Sequence, residues 1–135
     1  MDGDFNRIDE IFLVSYSLKI FKLVLVVLNL TYLLAMFWII LCKAIEDFVY
    51  GVDFTDPDVA KEYPFEFLTY YNFNDRTPGK AAIAATYFAF TSLSTVGFGD
   101  FCPRSDLERA IGALILLLGV AIFSYVMGNF IGILN

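Results

Sequence analysis

The chain has 135 residues, enough for one domain, yet 59% are hydrophobic and 18% aromatic, against an apolar share of about 45–50% in soluble domains. Its formal charge is −6, it has no histidine, and no nucleic-acid partner is expected of it. It shows no cluster with metal-ligand spacing, no nucleophile beside a base and no phosphate-binding glycine loop, so an enzyme has nothing to stand on.

From Phe5 to Lys22 apolar and polar residues alternate at helical spacing, with Ile8, Ile11, Phe12, Tyr16 and Ile20 near one stripe. This predicts an interfacial linker helix over 5–22 that runs into a first span over 23–42. No charge occurs from Leu23 to Cys42, and a helix of about 20 apolar residues crosses a hydrocarbon core. The span starts too late and is too long for a cleavable signal peptide. Asn29-Leu30-Thr31 matches a glycosylation sequon but lies inside the span, out of reach of modification. Lys19 and Lys22 before the span favour a cytoplasmic N-terminus, and a second span then returns the C-terminus to the same side.

Residues 43–77 read as an extracellular turret with little regular structure. Between 43 and 80 the acidic Glu46, Asp47, Asp53, Asp56, Asp58, Glu62, Glu66 and Asp75 outnumber Lys43, Lys61, Arg76 and Lys80. Thr55-Asp56-Pro57-Asp58 is a helix-start signal, and Pro64 limits that helix to about two turns. Phe65, Phe67, Tyr70, Tyr71 and Phe73 are expected to pack the turret onto the membrane-embedded segments. Cys42 and Cys102 are open to two readings, a disulfide near the outer surface or two separate packing residues.

Thr77-Pro78 starts a helix over 78–93, too short to span alone. Tyr87, Phe88 and Phe90 can wedge it against the spans. Its C-terminal end carries about half a negative charge, which neutral Ser94 and Thr95 leave uncancelled. The segment 94–100, Ser-Thr-Val-Gly-Phe-Gly-Asp, then offers two glycines two residues apart. Glycine enters φ > 0 without a Cβ penalty, so backbone conformations can alternate and successive carbonyls can turn the same way. Val96 and Phe98 between them can pack behind, and Thr95 adds a hydroxyl below the lowest carbonyl. In a soluble protein these residues would be a glycine turn. Between two apolar spans they read instead as a re-entrant loop, since irregular backbone is tolerated at membrane depth where protein buries it or water lines it.

Ser105-Asp106-Leu107-Glu108 has the spacing of a capping box, so an inner helix is predicted over 106–134. No charge occurs from Ala110 to Asn135. Gly112, Gly119, Gly128 and Gly132 interrupt it, either for close packing in lipid or as points where it bends.

With these elements in place, the chain resembles the pore domain of a potassium channel. Ser92-Leu93-Ser94-Thr95-Val96-Gly97-Phe98-Gly99 is similar to the signature T-x-x-T-V-G-[YF]-G, departing only at Ser92. Leu33 to Trp38, the Gly-Phe-Gly filter and Ile122 to Asn129 resemble the superfamily of cyclic-nucleotide-gated, hyperpolarisation-activated and ether-à-go-go channels. The resemblance implies an all-α membrane protein, two transmembrane helices with a re-entrant pore helix and selectivity filter, assembling as a tetramer of this chain with three identical subunits, embedded in membrane lipid. It implies K⁺ bound by oxygens of Thr95, Val96, Gly97 and Phe98, with Gly99 closing the outer mouth, Asp100 and Ser94 supporting the filter, and no other cofactor. Gly119, Val120, Phe123, Met127 and Gly128 match cavity and gate positions, Gly119 the hinge among them. Phe98 lacks the tyrosine hydroxyl of many potassium channels. The expected function is passive, K⁺-selective conduction by a homotetramer. The alternatives are a non-selective cation pore and a non-conducting membrane subunit. Relatives in this superfamily carry a voltage sensor before the pore and a cytoplasmic gating domain after it, so the chain is expected to be either a pore module of a larger channel or a two-span channel in itself.

Overall fold

A computed structural model of the chain describes residues 2–51, 56, 58 and 66–135. They form four α-helices, α1 (Asp2–Ile45), α2 (Phe67–Tyr70), α3 (Pro78–Leu93) and α4 (Asp106–Leu134), with a π-helical turn, Glu46–Tyr50, at the end of α1.

One unbroken helix carries both the linker expected at 5–22 and the span expected at 23–42, because no glycine or proline falls between Asp4 and Tyr50. Its 44 residues reach about 66 Å at about 1.5 Å each, twice a hydrocarbon core of about 30 Å. The loop after it starts later than expected: helical backbone continues through Tyr50, and Gly51 ends it with φ at 60°, a left-handed stop that favours glycine. α1 and α4 are both long and apolar enough to cross a membrane.

α1 buries one narrow stripe, Thr31, Ala35, Trp38, Cys42 and Ile45, at alternating intervals of four and three residues. Large apolar side chains elsewhere on it, among them Ile11, Leu13, Phe21 and Leu33, are exposed, as suits a helix whose solvent is lipid. Inside the stripe the Thr31 hydroxyl donates to the Val27 carbonyl at 2.7 Å, which satisfies that polar group where water is scarce.

Against this stripe α3 brings Ala84, Ala85 and Ala89, small residues that let the two backbones approach. The remaining volume is filled by aromatic rings around the fully buried Phe67. Its centroid lies 5.6 Å from Trp38, 5.3 Å from Phe88, 5.4 Å from Phe73 and 5.0 Å from Tyr71. Such pairs contribute about 0.5–1.5 kcal/mol each beyond their buried area, so α2, a single turn, is anchored far more firmly than its length would allow.

α4 begins in the expected capping box: the Glu108 N–H donates to Ser105 Oγ at 3.2 Å and the Ser105 N–H to Glu108 Oε2 at 3.1 Å. Gly112, one turn on, is a packing glycine. A methyl there would lie 3.1 Å from Pro103 Cγ and 3.6 Å from the Trp38 ring.

Three further points concern residues 43–77 and the cysteines. Glu46 and Glu66, two of the acidic residues counted between 43 and 80, are buried at 6% and 4% exposure, because both lie where α1, α2 and the start of α4 converge. Cys42 and Cys102 are free thiols, the first buried and the second half-buried. The helix-start signal at 55–58 and Phe65 lie outside the described residues, apart from Asp56 and Asp58, where the Asp58 N–H donates to Asp56 Oδ1 at 3.0 Å.

Candidate functional site

The loop that follows α3 has an unusual backbone. Within it φ is positive at Thr95 (60°), Gly97 (52°) and Gly99 (81°), while Val96 and Phe98 between them have negative φ. Handedness therefore alternates residue by residue along 95–99. In an ordinary strand carbonyls alternate sides, whereas alternating hands turn successive carbonyls toward one side. The glycines reach this region freely. Thr95 does not, because left-handed φ is a steric outlier for a β-branched residue, and its place in the alternation is not visible in the sequence.

The loop is tied to the end of α3. The Ser94 N–H donates to Phe90 O at 2.9 Å, the Thr95 N–H to Ser92 O at 3.2 Å and the Gly97 N–H to Thr91 O at 3.1 Å. Side chains add to these bonds: Ser92 Oγ donates to Phe88 O and Ser94 Oγ to Phe90 O, both at 2.8 Å. No acidic or basic residue lies in this last turn, so the negative end of the helix faces the loop without a counter-charge. Val96 and Phe98 are 55% and 71% exposed on the single chain, so nothing in one copy covers them.

Asp100 ends the loop beside Tyr87 of α3. Tyr87 also lies 6.2 Å from Phe101, centroid to centroid. From Asp100 onward the chain is held at further points. The Cys102 N–H donates to Tyr71 Oη at 3.0 Å, and the N–H groups of Arg104 and Ser105 donate to Glu108 Oε2 at 3.0 and 3.1 Å. Glu108 Oε1 accepts from the Phe67 N–H at 3.0 Å. The capping-box spacing reveals Glu108, but no local pattern points to Phe67, 41 residues away.

Behind the loop lies an apolar cavity of about 390 Å³, bounded by Trp38 of α1, Phe88 of α3, Ile115 and Val120 of α4, and Thr95 and Gly97. Trp38 Nε1 is buried without an acceptor among the described residues. The residues of α4 expected near a cavity or gate fall into two groups. Gly119 is buried against Leu93, whereas Val120, Phe123 and Met127 are partly exposed and Gly128 has open space around it.

Just past the C-terminal end of α1, Glu46 faces Glu66 at the start of α2 and Glu108 of α4. Burial first, then repulsion from Glu66, Glu108 and Asp47, pushes its carboxyl up to about 7, with Lys43 acting in the opposite direction. One of its oxygens, Oε1, is buried without a hydrogen-bond partner among the described residues.

Comparison with known proteins adds two findings. A family model described as ion channel matches residues 62–135. Among curated relatives, the voltage-gated delayed rectifier potassium channel KCNH1 of Rattus norvegicus is 33% identical over 70 residues, covering 45% of this chain and 7% of the relative. KCNH5 of Homo sapiens, with the same descriptive name, is 28% identical over 68 residues, 49% of this chain and 7% of the relative. KCNH4 of Rattus norvegicus is 39% identical over 55 residues, 41% of this chain and 5% of the relative. The matched segment thus spans less than a tenth of these relatives' length. No solved structure matches the chain.

Proposed function

The chain belongs to the ion channel family, as a membrane-embedded pore domain related to voltage-gated potassium channels rather than an enzyme, and from that premise we propose that it conducts K⁺ selectively and passively as a homotetramer. The observation that carries this reading is the alternation of left-handed φ at Thr95, Gly97 and Gly99. Four copies of such a loop around one axis stack rings of carbonyl oxygens from Thr95, Val96, Gly97 and Phe98, which replace the hydration shell of a K⁺ ion. One copy supplies only a quarter of each ring.

α3 is then a re-entrant pore helix and α4 the inner helix. The uncompensated C-terminal ends of four α3 helices favour a cation on the axis below the loop. Ser94, by closing the last turn, and Asp100, through Tyr87, hold the loop at its two ends. The exposed side chains of Val96 and Phe98 support assembly, since apolar groups beside an aqueous pore require cover. Val120, Phe123 and Met127 line the cavity below, with Gly119 as the bending point and Gly128 further along. Lys19 and Lys22 favour cytoplasmic termini.

Cross-linking the purified protein in detergent, together with K⁺ and Na⁺ flux from liposomes, tests the reading. It expects a limiting species of four chains and a flux of K⁺ far above that of Na⁺. A smaller limiting species, or equal flux of the two ions, overturns it.

A further inference from the structure

The segment leaving the loop, Phe101 to Ser105, belongs to a closed circuit of hydrogen bonds of which local sequence reveals only the Ser105–Glu108 capping box. α2 is fastened at both ends. At its start the Phe67 N–H donates to Glu108 Oε1 at 3.0 Å. Just past its end, Tyr71 Oη accepts the Cys102 N–H at 3.0 Å and lies 3.5 Å from Cys102 Sγ. The circuit closes through the Arg104 and Ser105 N–H groups on the other oxygen of Glu108.

Ring contacts run alongside. Phe101 packs 4.8 Å from Tyr71, and the Arg104 guanidinium lies 3.7 Å from the centre of the Tyr70 ring. Arg76 covers Phe73 at 5.2 Å and Phe101 at 5.9 Å.

One member of this circuit lies nearest the loop. The Cys102 N–H has only Tyr71 Oη as its acceptor among the described residues, and it lies two residues beyond Asp100 and three beyond Gly99. Left without that acceptor, a backbone donor in a half-buried place turns elsewhere, and the easiest movement is a rotation of the segment that carries Gly99 with it.

We propose that Tyr71 is a positioning residue for ion conduction, its hydroxyl fixing the outermost carbonyls of the loop by way of the Cys102 N–H. The inference rests on the reading of residues 95–99 as a K⁺ filter. Tyr71 touches no ion. It sets how firmly the outer ring keeps its shape when no ion occupies it, because a bound cation holds the carbonyls inward and an empty ring depends on its surroundings.

The test compares the full chain with Tyr71→Phe in planar bilayers at high and at low external K⁺, with size-exclusion chromatography as the measure of assembly. Tyr16→Phe, which removes a hydroxyl near the start of α1, is the control. Loss of one neutral hydrogen bond corresponds to about a fivefold shift in an equilibrium per subunit. Tyr71→Phe is therefore expected to assemble normally and to conduct like the parent at high K⁺, but to lose open-state current at least about fivefold faster at low K⁺, with Tyr16→Phe unchanged. An identical dependence on external K⁺ in Tyr71→Phe and parent overturns the proposal. So does a loss of assembly or current at every K⁺ concentration, which would make Tyr71 a support of the fold only. A parent that passes no K⁺, or fails to prefer it over Na⁺, removes the filter reading itself and is distinguished by being seen before any substitution is made.

Discussion

Gly119 of α4 packs directly on Leu93, the last residue of α3: a methyl group at 119 would lie 3.2 Å from Leu93 Cδ2. The inner helix therefore touches the base of the loop at the residue proposed as its bending point. Gly119→Ala would favour a straight helix by about 1 kcal/mol per subunit, and Leu93 can yield the few tenths of an ångström required. Single-channel recording should show a lower open probability for Gly119→Ala with selectivity retained. Gly128→Ala, where nothing lies within 4 Å on the same chain, serves as the comparison; equal open probability in Gly119→Ala and parent would place the gate elsewhere. Gly112→Ala is expected to lower stability, because Pro103 and the Trp38 ring leave little room.

The loop's own glycines should be far less forgiving. Gly97 and Gly99 hold φ at 52° and 81° with open space around each, so alanine meets no clash and the whole effect comes from backbone handedness. That costs about 1–2 kcal/mol per residue, repeated in every subunit. Gly97→Ala and Gly99→Ala should abolish K⁺-selective current while leaving the helical content measured by circular dichroism intact. Retained selectivity in either variant would remove the alternation from the account.

Glu46 predicts a pH dependence with a definite sign. Its carboxyl titrates at about 7 in the fold against an ordinary 4.5, so between those values the folded chain keeps a proton that the unfolded chain has released. Stability from this group is complete below the ordinary value and is lost as pH rises toward 7. Thermal unfolding in detergent should therefore show the parent falling relative to Glu46→Gln between pH 5 and pH 8, on the order of that window. A parallel pH profile for the two proteins would show that Glu46 is already ionised at neutral pH.

Voltage dependence should be shallow in the chain by itself. Steep gating requires charges that move through the field, each giving about 2.3 kcal/mol per 100 mV, and neither 23–42 nor 110–135 contains a charged side chain. The voltage gating in the names of the curated relatives would then depend on residues outside these two segments. A steep activation curve from the purified chain, free of blocking ions, would contradict this.

The sequence is most legible where a few neighbouring residues fix the backbone. Thr77-Pro78 and the Ser105–Glu108 box mark the starts of α3 and α4 because their information is local. The two glycines mark the loop for the same reason, whereas Thr95 is hidden because its side chain argues against the conformation it adopts. Charge counting does not reveal the burial of Glu46 and Glu66, since burial comes from where α1, α2 and α4 meet rather than from composition. Tyr71 and Cys102, 31 residues apart, meet only through the packing of α2 around Phe67, a tertiary contact without a sequence period.

The central claim is that the loop 95–99 selects K⁺ by its carbonyl oxygens. The most direct measurement is the reversal potential of the purified, reconstituted chain with K⁺ on one side of a bilayer and Na⁺ on the other. The account predicts a reversal potential displaced strongly in the direction set by the K⁺ gradient, and little altered when Na⁺ is replaced by a large impermeant cation. A reversal potential near zero under these bi-ionic conditions would mean that the two ions pass alike, and would contradict it.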